Sequence, residues 1–307
     1  MAAYRILSFD GGGVRGAYTA VLLVRLKQAV PDLITSADLL AGTSTGGIIA
    51  LGLAAGHSTS ELIALYRDNA SRIFDRSWIR NLEDLHGLAG SEYDNTYLKG
   101  LLQGIFGHQK LEELAKRVLI PSFQVDAQDP STGKHIWKPK FFQNFPGPGT
   151  DGGEFVLDVA LRTSAAPVYF PTYQVYVDGG VVANDPSMAA LAQALDAGTG
   201  NQKLEDILIF SVGTGSNPTY IAGHDLDWGI AQWAKPLVSL MIDGVMGVAE
   251  YQCIRLLGAR YFRLKSELPK AIGMDDAAAV GELIALASQV DLTAAIAWLG
   301  ASGLRTT

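Results

Sequence analysis

The residues best suited to chemistry are a serine held between glycines, Gly42-Thr43-Ser44-Thr45-Gly46. The serine follows a short apolar run and precedes a helical stretch, which is the pattern of a nucleophile elbow. The reason for that pattern is steric. A tight strand-to-helix turn strains the serine backbone and lifts its hydroxyl into the open. Small flanking residues leave the approach clear, and the start of the next helix adds positive potential where an oxyanion would develop. A serine that merely caps the helix would use the same residues. The strand-helix context favours the nucleophile.

A second group lies upstream, Gly11-Gly12-Gly13-Val14-Arg15-Gly16, again between a strand and a helix. Successive glycine amides can form a concavity that binds an anion. A dinucleotide site would want an acidic residue at the end of the second strand, where this chain has Gly42 and Ser44 instead. A phosphate-binding P-loop would want Gly-Lys-Ser/Thr after four spacers, and that is missing. An oxyanion hole beside a serine remains. Arg15 could add charge to that hole or form a structural ion pair.

The serine needs a base. The five histidines are His57, His86, His108, His135 and His224. Only His224 follows a plausible acid, giving the chain order Ser44, Asp178, His224 of a hydrolase triad. Each histidine also suits an ordinary surface position. Asp178 offers a second route. It ends the run Val175-Tyr176-Val177 and precedes Gly179 and Gly180, so its carboxylate could take the Ser44 proton directly. A turn aspartate that bonds its own backbone is the plain alternative.

These residues need a scaffold. Strands are expected at 4–9, 38–42, 118–125, 136–145, 175–177, 207–212 and 260–264. Helices are expected from the glycine loop to Val30, at 48–55, from Ser58 to about 73, and at 155–164 and 186–196. Most of 228–257 and the apolar stretch 277–299 also read as helix. Ser58 and Glu61 have capping-box spacing. Alternating strands and helices predict a three-layer α/β/α domain spanning 1–307, with a helical segment at 266–307. Residues 74–108, with Phe74, Trp78, Ile79, Leu82, Leu85 and Leu88, suit either a lid or an ordinary packed excursion.

Composition narrows the class. The chain has 307 residues and a net charge of −7, which argues against general nucleic-acid binding. One cysteine, Cys253, excludes an internal disulfide and fits the cytoplasm. Neither a secretory signal nor an apolar run of about 18 residues is visible. Mean hydropathy of +0.17 is consistent with a thick buried sheet or with a surface that meets lipid.

The motifs Asp10–Gly16, Gly42–Gly47 and Asp178–Gly180, in that order, resemble the patatin-like phospholipases of plants and bacteria. Residues 92–98, 118–126, 163–171, 210–215, 229–237 and 260–264 are similar to other segments of that family, so the resemblance covers about 4–265. It implies a modified α/β-hydrolase-like fold with a central mixed, mostly parallel sheet. It implies a Ser44–Asp178 dyad without a catalytic histidine, metal or cofactor. It implies an oxyanion hole from Gly11, Gly12 and Gly13, with Arg15 a further candidate, while Gly16, Gly42, Gly46, Gly179 and Gly180 support the motifs. The expected substrate is a phospholipid or other fatty-acyl ester. Peripheral membrane contact is compatible with it, and a fold kept for binding or storage is the non-catalytic alternative.

Overall fold

The computed structural model describes residues 3–75, 91–218 and 227–305, together with 220, 221 and 223. Its strands are β1 (Tyr4–Phe9), β2 (Leu39–Gly42), β3 (Arg117–Gln128), β4 (His135–Gln143), β5 (Tyr176–Asp178), β6 (Ile207–Val212) and β7 (Tyr261–Leu264). They form one sheet in the order β4-β3-β2-β1-β6-β7, with β5 added beside β3. β3, β2, β1, β6 and β7 run parallel, while β4 and β5 are antiparallel to β3. This is the mixed, mostly parallel sheet expected from the sequence.

Both faces of the sheet are covered, which is why its central strands read as unbroken apolar runs. Successive side chains alternate between two cores. Leu7, Phe9, Leu40, Phe210 and Val212 face one side. They share a core with α1 (Gly16–Ala29), α2 (Thr45–Ala54), α3 (Thr59–Ile73), α9 (Val280–Gln289) and α10 (Thr293–Ala301), whose Trp298 packs on Phe210. Ile6, Leu39, Ala41, Ile207 and Ile209 face the other side, against α7 (Ser187–Leu195) and α8 (Ile230–Leu257). Cys253 is buried in that second core as a small apolar group.

Three elements set the position of the site. β1 has β2 on one side and β6 on the other, a switch in strand order that opens a crevice at the strands' carboxyl ends. Phe9 pairs with Gly42 and with Val212, so the loops after β1, β2 and β6 leave from one level. β2 occupies one edge of β3 only as far as Leu119, and β5 takes up the same edge at Ser122. β5 therefore runs down toward the exit of β2.

Several boundaries differ from the sequence reading. The helix expected at 48–55 begins at Thr45, directly after Ser44. The stretch expected as one helix at 277–299 is broken into a 3-10 turn, α9 and α10, with α9 and α10 bent by 60° where Asp291 and Thr293 make a turn. Among the described residues no single helix is long and apolar enough to cross a membrane. Within 74–108 the sequence shows weak helical signals, yet α4 (Thr96–Phe106) forms and buries Leu98, Leu102 and Phe106. That part is a packed excursion. Trp78, Ile79, Leu82, Leu85 and Leu88 lie outside the described residues.

The capping box is present. Ser58 Oγ accepts the Glu61 amide at 3.2 Å, and Glu61 Oε2 accepts the Ser58 amide at 2.7 Å. Ser58→Ala should lower stability by about 1 kcal/mol in urea denaturation while hydrolysis per folded molecule is unchanged. Equal midpoints for the two proteins would contradict that reading of α3.

Candidate active site

Ser44 stands at the point where β2 turns into α2, with φ of 55° and ψ of −122°. A non-glycine residue adopts such a positive φ at a cost of about 1–3 kcal/mol, so surrounding structure must hold it. Gly42 and Gly46 allow the hold. A Cβ on Gly42 would run into the Gly46 backbone, and one on Gly46 into the carbonyls of Phe9 and Asp10. The elbow thus packs main chain to main chain against β1. The Ser44 amide donates to Thr163 Oγ1 at 2.9 Å, and Thr163 Oγ1 donates to the Pro121 carbonyl at 2.6 Å. A threonine at the end of α5 (Val156–Thr163) therefore ties the elbow to β3.

Register brings the acid to the same place. Ala41 pairs with Leu119, and Ser122 pairs with Asp178. Ser44 lies three residues beyond Ala41, and Ser122 lies three beyond Leu119. Asp178 is the last residue of β5 and is buried at 6% exposure. Its Oδ1 accepts the Gly180 amide at 2.7 Å. Burial pushes the Asp178 carboxyl up, to about 6, against the opposing pull of the Ser44 hydroxyl and then the Gly180 amide. A Cβ on Gly179 would strike the Pro121 backbone, so this turn too lies directly on β3.

The glycine loop faces both residues. Gly12 and Gly13 line the same cleft as Ser44 and Asp178. Their amides donate no hydrogen bond among the described residues. Gly13 takes a φ of 59°, which turns the chain there, and a Cβ would meet the Met274 carbonyl. Gly11 differs from its neighbours, because its amide donates to the Asn184 carbonyl at 3.0 Å. Arg15 is not on the cleft wall. It is buried and donates from Nε to the Gly12 carbonyl at 3.4 Å and from Nη1 to the Gly215 carbonyl at 3.2 Å. Gly16 packs against Thr45 and Tyr66, with no room for a side chain.

The cleft encloses about 80 Å³ and opens to solvent. Ile48, Leu65, Ile73, Phe74, Leu98 and Phe170 form much of its wall, so it suits an acyl chain. His57, His108 and His135 are not on that wall. His57 lies 3.8 Å from Glu61, His108 meets the edge of Phe155, and His135 pairs with Asp126 on the surface. His86 and His224 lie outside the described residues.

Thr163, Asn184 and Met274 escaped the reading of the sequence. Thr163 opens the segment 163–171 that the resemblance covers, Asn184 belongs to no motif, and only their partners reveal what they do. Met274 belongs to the C-terminal stretch beyond the resemblance, yet its carbonyl accepts the Val14 amide at 2.8 Å and it lines the cleft.

Comparison with known proteins gives the family. Residues 7–191 match the model of the patatin-like phospholipase family. CotR of Bacillus subtilis is 34% identical, over 95% of this chain and 96% of that protein. A cGAMP-activated phospholipase of Pseudomonas aeruginosa is 35% identical, over 85% of this chain and 78% of that protein. Among solved structures, VipD from Legionella pneumophila aligns with a TM-score of 0.44 at 12% identity, covering 93% of this chain and 67% of VipD. The chain belongs to the patatin-like phospholipase family. It is a serine-dependent hydrolase of lipid esters.

The raised Asp178 carboxyl has a definite consequence for stability. An unfolded aspartate ionises near pH 3.8 and the folded one near 6. Between those values the folded state holds a proton that the unfolded chain has lost, so stability falls as pH rises from about 4 to 6. Asp178→Asn removes that loss. It should raise the melting temperature at pH 7, by the equivalent of at most about 3 kcal/mol, and much less at pH 4. A lower melting temperature at pH 7 would show that the buried charge is not a burden on the fold.

Proposed function

We propose that Ser44 and Asp178 act as a catalytic dyad, with the Gly12 and Gly13 amides as the oxyanion hole. The observation that supports this reading is the hydrogen bond of the Ser44 hydroxyl to the Asp178 carboxylate, on a cleft that Gly12 and Gly13 also line. Asp178 takes the Ser44 proton as Oγ attacks the ester carbonyl carbon. The carbonyl oxygen becomes an oxyanion and accepts from Gly12 and Gly13, each well-placed donor being worth roughly 3–4 kcal/mol in comparable sites. Collapse breaks the bond to the alcohol, which leaves with the proton from Asp178. Water then gives its proton to Asp178 and attacks the acyl-serine. The fatty acid departs, and the proton returns to Ser44.

Gly11 and Arg15 support the hole rather than lining it. Gly11 ties the loop to Asn184, and Arg15 holds the loop's outward carbonyl. A carboxyl that ionises near pH 6 is a competent base at neutral pH and stays weak enough to return its proton.

The lipid substrate also needs a route from its bilayer. α8 carries Leu240, Met241 and Val248 at 48%, 51% and 56% exposure, while the neighbouring Ile242 lines the cleft. Val168, 58% exposed, lies between cleft-lining Pro167 and Tyr169. Val168 borders the cleft, whereas Leu240, Met241 and Val248 line a separate open groove between α8 and α7, and these exposed apolar groups suit peripheral contact with a lipid surface.

Two measurements test the reading. Ser44→Ala should lose labelling by a fluorophosphonate and lose release of fatty acid from phospholipid, followed by mass spectrometry with and without cGAMP. Hydrolysis that survives Ser44→Ala would end the assignment. Replacing Leu240, Met241 and Val248 together by serine should weaken binding to phosphatidylcholine vesicles by about tenfold or more, with turnover of a soluble short-chain ester intact. Unchanged vesicle binding would remove α8 as the docking face.

A further inference from the structure

The geometry points to Arg263, on β7, as the positioning residue that sets the oxyanion hole by clamping two loops at once. This rests on the assignment of Gly12 and Gly13 as the oxyanion donors. Asp10 and Asp185 are the residues next to the two that bond each other across the site. Gly11 donates its amide to the Asn184 carbonyl at 3.0 Å, and Asn184 Nδ2 donates back to the Gly11 carbonyl at 3.3 Å. Asp10 comes immediately before Gly11, and Asp185 immediately after Asn184. Arg263 holds both carboxylates. Its Nη2 donates to Asp10 Oδ2 at 2.6 Å and its Nη1 to Asp10 Oδ1 at 3.1 Å. The same Nη1 reaches Asp185 Oδ2 at 2.8 Å and Ser211 Oγ at 2.7 Å.

The cluster is dry. Asp10, Asp185 and the Arg263 side chain are 2%, 1% and 7% exposed. In such surroundings a planar guanidinium fixes direction as well as charge, because its donors lie in a rigid fork. The parallel pairing of β6 with β7, Ser211 opposite Arg263, brings the guanidinium under the end of β1. Three strands and the start of α7 thus converge on one side chain. Asp185 Oδ1 meanwhile accepts the Ser187 amide at 2.9 Å, which fixes its own loop to that helix. Movement of Asp10 would carry Gly11, and with it the Gly12 and Gly13 amides. A small displacement there misaligns donors that act mainly in the transition state.

The consequence separates from a role in stability alone. Arg263→Lys keeps the charge and loses the fork. Its kcat, counted per fluorophosphonate-titrated serine, should fall about tenfold or more with KM nearly unchanged. The Ki of an acyl trifluoromethyl ketone, whose adduct carries an oxyanion, should rise by a similar factor. If that variant does not fold, Arg263→Met combined with Asp10→Asn and Asp185→Asn removes the buried charges together. It should show the same loss of kcat at preserved KM. In either folded variant, kcat per titrated serine and Ki equal to wild type would overturn the proposal and leave the dyad standing. Hydrolysis that persists in Ser44→Ala would overturn both.

Discussion

One edge of one strand carries two jobs in this protein. β3 gives its first residues to β2 and its next ones to β5, which arrives from the opposite direction. Main-chain pairing therefore decides how far the elbow serine stands from the carboxylate, and no flexible side chain is needed to close the distance. A slip of one residue in the β3–β5 pairing would send the carboxylate to the opposite face of the sheet. Thr163 reinforces the arrangement by linking the elbow amide to the Pro121 carbonyl on that strand.

The fold spends stability on this arrangement. Ser44 sits in a left-handed conformation, and Asp178 is kept from water with little to compensate its charge. These are the local violations expected where a site is preorganised for reaction. Around them several side chains bond main-chain groups. Asn184 and Thr214 bond the Gly11 carbonyl, Thr163 bonds the Pro121 carbonyl on β3, and Arg15 bonds the Gly215 carbonyl. The site is consequently held by cross-links between loops whose sequences are far apart.

The sequence revealed the elements in proportion to how local their causes are. The Gly42–Gly46 turn, the run Ile207–Val212 and the Ser58–Glu61 box depend on neighbours within a few residues, and each was legible. The break between α9 and α10 was less so, because an apolar stretch of that length reads as continuous and only the Asp291 turn interrupts it. The pairing of Gly11 with Asn184, the turn of Arg15 away from the cleft, and the contact of Met274 with the glycine loop are all set by tertiary packing. Nothing at those positions marks them in one dimension. Arg263 shows the same limit: its segment stood out, but its partners are visible only once β7 is seen beside β6.

The most direct test is a crystal structure of the protein with Ser44 phosphonylated by a long-chain fluorophosphonate. The account predicts a phosphonyl oxygen at about 3 Å from the Gly12 and Gly13 amides, the alkyl chain along the Ile48–Phe170 wall, and the Asp178 carboxylate beside the ester oxygen. A phosphonyl oxygen turned to solvent, away from the glycine loop, would contradict it.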